Sequence, residues 1–462
     1  MDEAGIQEER IQRLNDRDIK AGEYVLYWMQ QSQRAEYNHA LEYAVQLANR
    51  SELPLLVIFG LTDDYPEANL RHYRFLLEGL KDVQQSLAER GIKMVVQRGR
   101  PVDVVIAAGG KASVIVCDRG YLRQQKSWRK RVADEAECRV FQVESDVVVP
   151  VETVSDKAEY AARTIRPKIQ KHVDRFLSEL QVSRIKKKSL NLPFASMNMD
   201  DTDALLRDLK VDRAVGPVDA IFKGGTAQAK ERFRIFLENK LSHYSENRNQ
   251  PQTDDISHMS MYLHFGHISP VYLALQATDW EAAPEDDRAA FMDELIVRRE
   301  LACNFVHYTH DYDSFAGLPR WCRETLEEHS QDKREYTYDR EQLERAETHD
   351  EYWNAAMNEM RATGYMHNYM RMYWGKKILE WSASAKKAFD TTLALNNAYF
   401  LDGRDPCSYA NVAWIFGLHD RPWKERSIFG KVRYMSASGL ERKCDIGAYV
   451  KKIERLVREF GG

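Results

Sequence analysis

Three short stretches hold residue types that do chemistry only when something positions them. In "DELIVRRELACNFVHY" (293–308), Glu294 precedes Arg298 by four residues on a mostly apolar helix. Residues four apart share a helical face, so the bland reading is an ion pair worth about a few tenths of a kcal/mol. The sharper reading is a carboxyl held in an aromatic cavity, where it acts as a proton or hydrogen-bond donor. In "YSENRNQPQTDDISHMSMYLHFGHISP" (244–270), Ser257 and Ser260 stand just before an apolar helix. Hydroxyls there cap the first turn, and free N–H groups can meet a phosphate; ordinary capping without a ligand is the simpler account. In "GYMHNYMRMYWGKKILEW" (364–381), Trp374 and Trp381 are seven residues apart. They fall on one helical face, about 10 Å apart along its axis. Large apolar residues at that spacing usually pack a core, and the segment by itself demands nothing more.

The elements that must hold these residues come in two kinds. Within the first 150 residues, "YVLYWMQ" (24–30), "PLLVIFG" (54–60), "KMVVQRG" (93–99), "SVIVCDR" (113–119) and "VVVPVE" (147–152) read as strands. Between them "AEYNHALEYAVQLANR" and "YRFLLEGLKDVQQSLAERG" have helical periodicity, the second stopping at Gly91. Alternating strands and helices imply a doubly wound, Rossmann-like parallel sheet over residues 1–152. No G-x-G-x-x-G or Walker A pattern follows any strand, so NAD or ATP chemistry is not supported. Residues 153–225, with "RIKKKSLNLPFASMNMDDTD", read as an interdomain surface linker. Residues 226–462 are helical in period throughout, giving a larger all-α domain.

Composition removes several classes. The 462 residues suit two or three domains, and 44% hydrophobic content supplies a core. No apolar run approaches the roughly 18–20 residues of a membrane span, so no membrane partner is expected. "MDEAGIQEERIQRLNDRDIK" lacks the apolar core of a signal peptide. Six scattered cysteines without a C-x-x-C pair argue against a disulfide framework or a zinc ribbon and for a reducing compartment; no metal site is expected. The net charge of -4 gives no global nucleic-acid signal. Residues 421–460, however, hold eleven Lys/Arg against five Asp/Glu, and "RIKKKSL" is a second basic run. A local basic face can still carry phosphate contacts.

Eight stretches, in order, resemble the cryptochrome/photolyase family, and most closely its class II cyclobutane pyrimidine dimer photolyases. They are "YWMQQSQRAEYNHAL", "FKGGTAQAKERFRIFL", "SHMSMYLHFGHIS", "DELIVRREL", "ATGYMHNYMRMYWGKKILEW", "LNNAYFLDGRDP", "WIFGLHDRPWKER" and "FGKVRYMSASGLERKCD". The resemblance implies light-driven DNA repair: reduced, anionic FAD in the helical domain donates an electron to a cyclobutane dimer in UV-damaged DNA and splits it. It also implies base flipping, since photolyases draw the dimer out of a stack that hides its reactive bonds. An antenna chromophore of the folate or 8-hydroxy-5-deazaflavin type, set against the α/β domain, is a further implication.

Residue roles carry over by position. Tyr244, Ile256, Ser257, His258, Met259 and Ser260 resemble the clasp on the FAD phosphates and ribityl chain, with Arg298 also assigned to the cofactor. Asn396 matches the asparagine facing flavin N5, where an amide can both donate and accept. Arg371 and Asp402 match a charged pair beside the isoalloxazine, and a cation there favours the anionic reduced flavin. Glu294 matches the glutamate that contacts the dimer, while Tyr369, Met372 and Trp414 resemble cavity residues around the flipped bases. Arg421 and Trp423 are expected to brace the gap in the duplex, with Arg248, Asn249, Lys424 and Arg426 on phosphates. The common family relay of tryptophans after the Asn pair is missing, since "NNAYFLDG" has none. The class II resemblance puts the relay at Trp374, Trp353 and then Trp381 toward solvent. Rival readings are a cryptochrome-like photoreceptor that binds FAD without repair, a (6-4) photoproduct enzyme using His258 and His367, and a dehydrogenase-type flavoprotein. A monomer in the cytoplasm, on the nucleoid, or in a nucleus is the expected setting.

Overall fold

The structure, a computed structural model, describes residues 5–460. Six strands build one sheet: β1 Ile11–Arg13, β2 Tyr24–Trp28, β3 Leu55–Leu61, β4 Lys93–Arg98, β5 Ala112–Asp118 and β6 Arg139–Val143. Their spatial order is β1-β6-β5-β2-β3-β4. The pairs among β2 to β6 are parallel, and β1 joins the edge antiparallel to β6. Side chains alternate between the two faces. Val25 and Tyr27 enter a core with Leu41 and Leu77, while Tyr24, Leu26 and Trp28 enter another with Val102 and Val105. Burial on both faces explains why these strands read as continuous apolar runs. The order reverses between β2 and β5, which opens a crevice beyond their carboxyl ends.

The run "VVVPVE" is not a strand. Residues 147–150 are irregular, and a short helix, Val151–Val154, follows Pro150. The sixth strand is "RVFQV" instead. The run is apolar because it plugs the junction between halves: Val147 joins one helical core, and Val148 and Val149 join the other. Side chains, not a neighbouring strand, hold the backbone of residues 147–149. Glu300 Oε1 accepts the Val148 and Val149 amides, and Arg10 donates to the Val147 and Val148 carbonyls.

Residues 153–225 carry more structure than a surface connection. The helix Ala162–Phe176 sends Ile165, Ile169 and Phe176 into a helical core with Phe233 and Phe236. Further on, Ile185, Met199 and Leu205 return to a core on the sheet. Lys186, Lys187 and Lys188 are exposed.

From Thr226 onward the chain is helical. One core gathers Phe233, Phe236 and Tyr262, and the other gathers Trp353, Tyr373 and Trp374. The halves lock at Gly266, where φ is +70° and a Cβ would lie 1.7 Å from the Gln31 carbonyl oxygen. Only glycine allows that approach. Arg34, 1% exposed, donates to the Gly266 carbonyl at 3.0 Å and pairs with Asp146 at 2.8 Å.

Candidate functional site

The helical half holds a cavity of about 250 Å3 that opens to solvent. Tyr244, Arg248, Asn249 and the run Ile256–Ser260 form one wall, Glu294 and Arg299 another, and Arg371 with Asp402 a third. The sequence-predicted clasp residues therefore do converge. His258 sits at φ +53° and bonds through Nε2 to Asp254 at 2.9 Å, while its buried Nδ1 has no partner. Burial holds its pKa below the ordinary histidine value although Asp254 pulls the other way, so the ring is neutral at pH 7. Burial also raises the Tyr244 phenol.

Arg371 and Asp402 form a two-pronged ion pair, Nη1–Oδ1 2.9 Å and Nη2–Oδ2 3.0 Å, and Asp402 is 7% exposed. The guanidinium also stacks 3.8 Å from the Phe400 ring centroid. The helix Asn368–Trp381 that carries Arg371 starts at His367, whose Nδ1 accepts the Tyr369 amide at 3.2 Å. That ring nitrogen is spent on a cap. Asn396 is buried one layer behind the wall, where its amide donates to Asn397 and to the wall residue Ser408. Asn397 is tied in turn to Glu67 of the sheet half at 2.7 Å and to the Arg404 amide at 3.1 Å. The second asparagine thus fixes the first.

The expected Glu294–Arg298 pair does not form. Residues Asp293–Arg298 make a π-helical turn, whose wider step breaks the i,i+4 register. Glu294 pairs with Arg248 at 2.6 Å, and Arg298, exposed, pairs with Asp293 at 3.3 Å. Arg298 does not line the cavity; its neighbour Arg299, 8% exposed, does. Arg248 is likewise committed to Glu294 and is not a free cation.

Tyr369 and Met372 lie on the same helix as the wall residues Asn368 and Arg371 but are not part of the wall. Trp414 is also outside it, half-buried between the Lys376 ammonium at 5.1 Å and the Arg433 guanidinium at 5.5 Å. Arg433 stacks on Trp423 too, at 4.3 Å, and pairs with Asp420 at 2.8 Å. Through Arg433 the exposed loop with Arg421, Trp423, Lys424 and Arg426 is pinned beside Trp414. Sequence reasoning missed Arg299, Tyr365, Asn368, Ser408 and Asn411 on the wall. Only Asn411 had a readable signal, three residues before Trp414 on one helix.

The three tryptophans are adjacent and buried: Trp353 0%, Trp374 1% and Trp381 3% exposed. Trp353 Nε1 donates to the Trp374 carbonyl at 2.9 Å, and the Trp353 and Trp381 ring centroids are 5.6 Å apart. Trp374 meets Phe400 at 6.2 Å, and Phe400 lies under Arg371, so the series reaches the cavity wall. At its other end Trp381 does not face solvent as expected; Tyr338 and His349 cover it.

A second cavity opens at the sheet's topological switch point. Trp28, Gln30, Phe59, Tyr65, Trp128 and Arg404 are among its lining residues. Both amide atoms of Gln30 are buried without partners, as is Arg404 Nε.

The profile of the DNA photolyase family matches residues 25–186. A deoxyribodipyrimidine photo-lyase of Methanothermobacter thermautotrophicus is 51% identical over 456 residues, 98% of this chain and 100% of that one. A bacterial class III photolyase from Agrobacterium tumefaciens has the same fold, with TM-score 0.72 at 18% identity over 94% of this chain and 86% of that one. An archaeal photolyase from Sulfolobus tokodaii, described with two FAD molecules and a novel light-harvesting cofactor, matches with TM-score 0.69 at 16% identity, covering 93% and 89%.

Proposed function

The chain belongs to the DNA photolyase family, and from that premise we propose how its residues divide the work. The protein is a light-driven DNA-repair enzyme, a carbon–carbon lyase of the deoxyribodipyrimidine photo-lyase type. Its family implies bound FAD, and we assign that cofactor to the charged cavity, in a class II-type site. The residues there fit a flavin dinucleotide. His258 Nδ1, buried on the wall without a partner, is a polar atom that a ligand would satisfy. Arg299 and Arg371 add cations, and Ser257 and Ser260 add hydroxyls. Held there, reduced FAD would supply the light-driven one-electron chemistry that opening a cyclobutane ring requires.

The chain's own groups do the rest. Arg371, held in direction by Asp402, favours an anionic ring system beside it. Asn396, fixed by Asn397, braces the wall from behind through Ser408. Glu294, paired with Arg248, accepts hydrogen bonds from the dimer and orients it, and the Arg248 guanidinium supplies the positive charge beside it. Trp414, Tyr369 and Met372 shape the rim that receives flipped bases, while Arg421, Trp423, Lys424, Arg426 and Asn249 engage the duplex. Trp374, Trp353 and Trp381 relay electrons inward when oxidised cofactor must be reduced. Arg298 drops out of the cofactor set in favour of Arg299. Residues 1–152 serve the antenna and 226–462 the chemistry, and a second chromophore, of folate or 8-hydroxy-5-deazaflavin type, fills the cavity at the sheet's switch point. One protein face suffices for one lesion, so a monomer acts wherever the DNA is kept, on a nucleoid or in a nucleus.

The observation that carries this reading is the convergence of Glu294, the Arg371–Asp402 fork and the 256–260 clasp on one cavity. The test is repair of an oligonucleotide holding one thymine cyclobutane dimer by anaerobically reduced protein, in blue light and in darkness. Intact thymine should return only in the light. Bound flavin with no loss of dimer would favour the photoreceptor reading.

A further inference from the structure

Trp381 is a poor end for an electron relay, because only 3% of it is exposed, at the wall of a cleft, and a reductant finds little of the ring to meet. It is also a poor place to leave a positive charge. The Lys377 ammonium lies 5.7 Å from its ring centroid, offset in part by Glu380 at 2.7 Å from that ammonium. Two rings touch its outer side edge-on: Tyr338 at 5.2 Å and His349 at 5.4 Å between centroids. Tyr336, 40% exposed, stacks on His349 at 3.7 Å. Tyr336 and His349 border an open cleft whose wall also includes Trp381, Lys333 and Arg426, and Tyr338 itself is half-buried.

The hydrogen bonds of Tyr338 are those a tyrosine needs to be oxidised. Its phenolic oxygen accepts the His349 backbone N–H at 3.0 Å. Its own proton is therefore free for His349 Nδ1, 2.7 Å away. Oxidising a phenol without removing its proton is costly, since the cation formed is a very strong acid; a base already in hydrogen-bond reach removes that barrier.

We propose that His349 is the proton acceptor that lets Tyr338 serve as the terminal electron donor of the relay. The inference rests on the tryptophan relay proposed above. An electron passes from Tyr338 to the oxidised Trp381 ring, and the phenolic proton moves to His349 Nδ1 in the same event. Trp381 is restored, Tyr338 becomes a neutral phenoxyl radical, and His349 becomes imidazolium. A thiolate from solution then returns one electron to the half-buried Tyr338 ring and leaves as a thiyl radical, and the proton goes back from His349 to the phenolic oxygen. The hole is thus moved beyond Trp381 as a neutral phenoxyl radical, and the positive charge passes to the His349 imidazolium at the cleft wall.

Blue flashes on the holoenzyme, followed by transient absorption and by electron paramagnetic resonance with ring-deuterated tyrosine, test this. The wild type should show an indolyl radical giving way to a phenoxyl radical whose spectrum narrows on deuteration. Tyr338→Phe should abolish the phenoxyl signal and prolong the indolyl one. His349→Gln, which keeps the backbone N–H, should slow phenoxyl formation on the order of 10²-fold. Flavin content and repair by chemically pre-reduced enzyme should match wild type in both variants. A phenoxyl signal that survives Tyr338→Phe, one that forms at the wild-type rate in His349→Gln, or indolyl radicals with no phenoxyl in the wild type would overturn the inference and leave the relay standing. Absence of any indolyl radical, with photoreduction unchanged in Trp353→Phe, would bring down the relay and this extension together.

Discussion

The two cavities differ most in charge. The one at the sheet's switch point is walled by aromatic rings and glutamine amides with a single guanidinium, Arg404, and no carboxylate. Burial keeps its His72 far below the ordinary histidine pKa, hence neutral. The cavity in the helical half is walled by Arg248, Arg299, Arg371, Glu294, Asp402 and Asp405. A ligand that only absorbs light and passes on excitation keeps its charge, so an aromatic slot with one fixed cation suffices for it. A ligand that gains and loses electrons beside a phosphate-bearing substrate needs fixed charges, because reorganising water around each change would be slow and costly.

The contrast breaks most severely if Arg371 is removed. Arg371→Ala strands the Asp402 carboxylate in a buried position, at a cost of about 3–5 kcal/mol. Thermal melting should fall accordingly, and flavin absorbance should be lost from the purified protein. Arg371→Met with Asp402→Leu should recover most of the stability without the flavin. A double variant that still binds flavin would mean that the fork is scaffolding only.

A second, pH-dependent test concerns Lys376, fully buried behind Trp414, whose pKa burial lowers to about 7. Unfolded, the amine titrates near an ordinary value of about 10.4. Between those values the unfolded state holds a proton that the folded state lacks, so stability rises with pH there. Lys376→Met should therefore be the more stable protein at pH 7. Its advantage, roughly 4 kcal/mol at most by the same linkage, should shrink toward pH 10 in denaturant melts. Parallel curves for the two proteins would show that Lys376 keeps its charge when folded.

How much of this was legible beforehand differs between the halves. Strands β2 to β5 were readable because both faces of a parallel sheet are buried, which leaves unbroken apolar runs. The same signal misled at "VVVPVE", where burial comes from a domain junction and the amides are held by Glu300. Most of the clasp residues were placed through family resemblance, and the structure brings them to one wall. Arg298 and Arg299 were indistinguishable because a π-turn, invisible to residue spacing, decides which of them faces in. The burial of Trp381 was equally hidden, since Tyr338 and His349 reach it from a segment with no pattern of its own.

Within the charged cavity, Glu294→Gln separates substrate chemistry from cofactor binding. Repair by pre-reduced enzyme should fall on the order of 10²-fold, the usual cost of one misplaced hydrogen-bonding group at developing charge. Flavin content should be unchanged. Loss of flavin instead would put Glu294 in the clasp and leave the dimer without its assigned partner.

The smallest effect is expected in the aromatic cavity. Gln30 has both amide atoms buried and unpartnered, which is costly unless a ligand satisfies them. Gln30→Leu removes those atoms at nearly constant volume, so the protein without a second chromophore should be as stable as wild type or more so. Affinity for an added chromophore should drop by about tenfold, the equivalent of roughly 1.4 kcal/mol for the lost hydrogen bonds. Titrating the chromophore by fluorescence gives that number directly. Repair driven by light absorbed at the flavin itself should not change, because no charge in the helical cavity has moved. If Gln30→Leu lowers that repair as much as it lowers chromophore binding, the two cavities are coupled through more than excitation, and the division between an aromatic collector and a charged reactor fails.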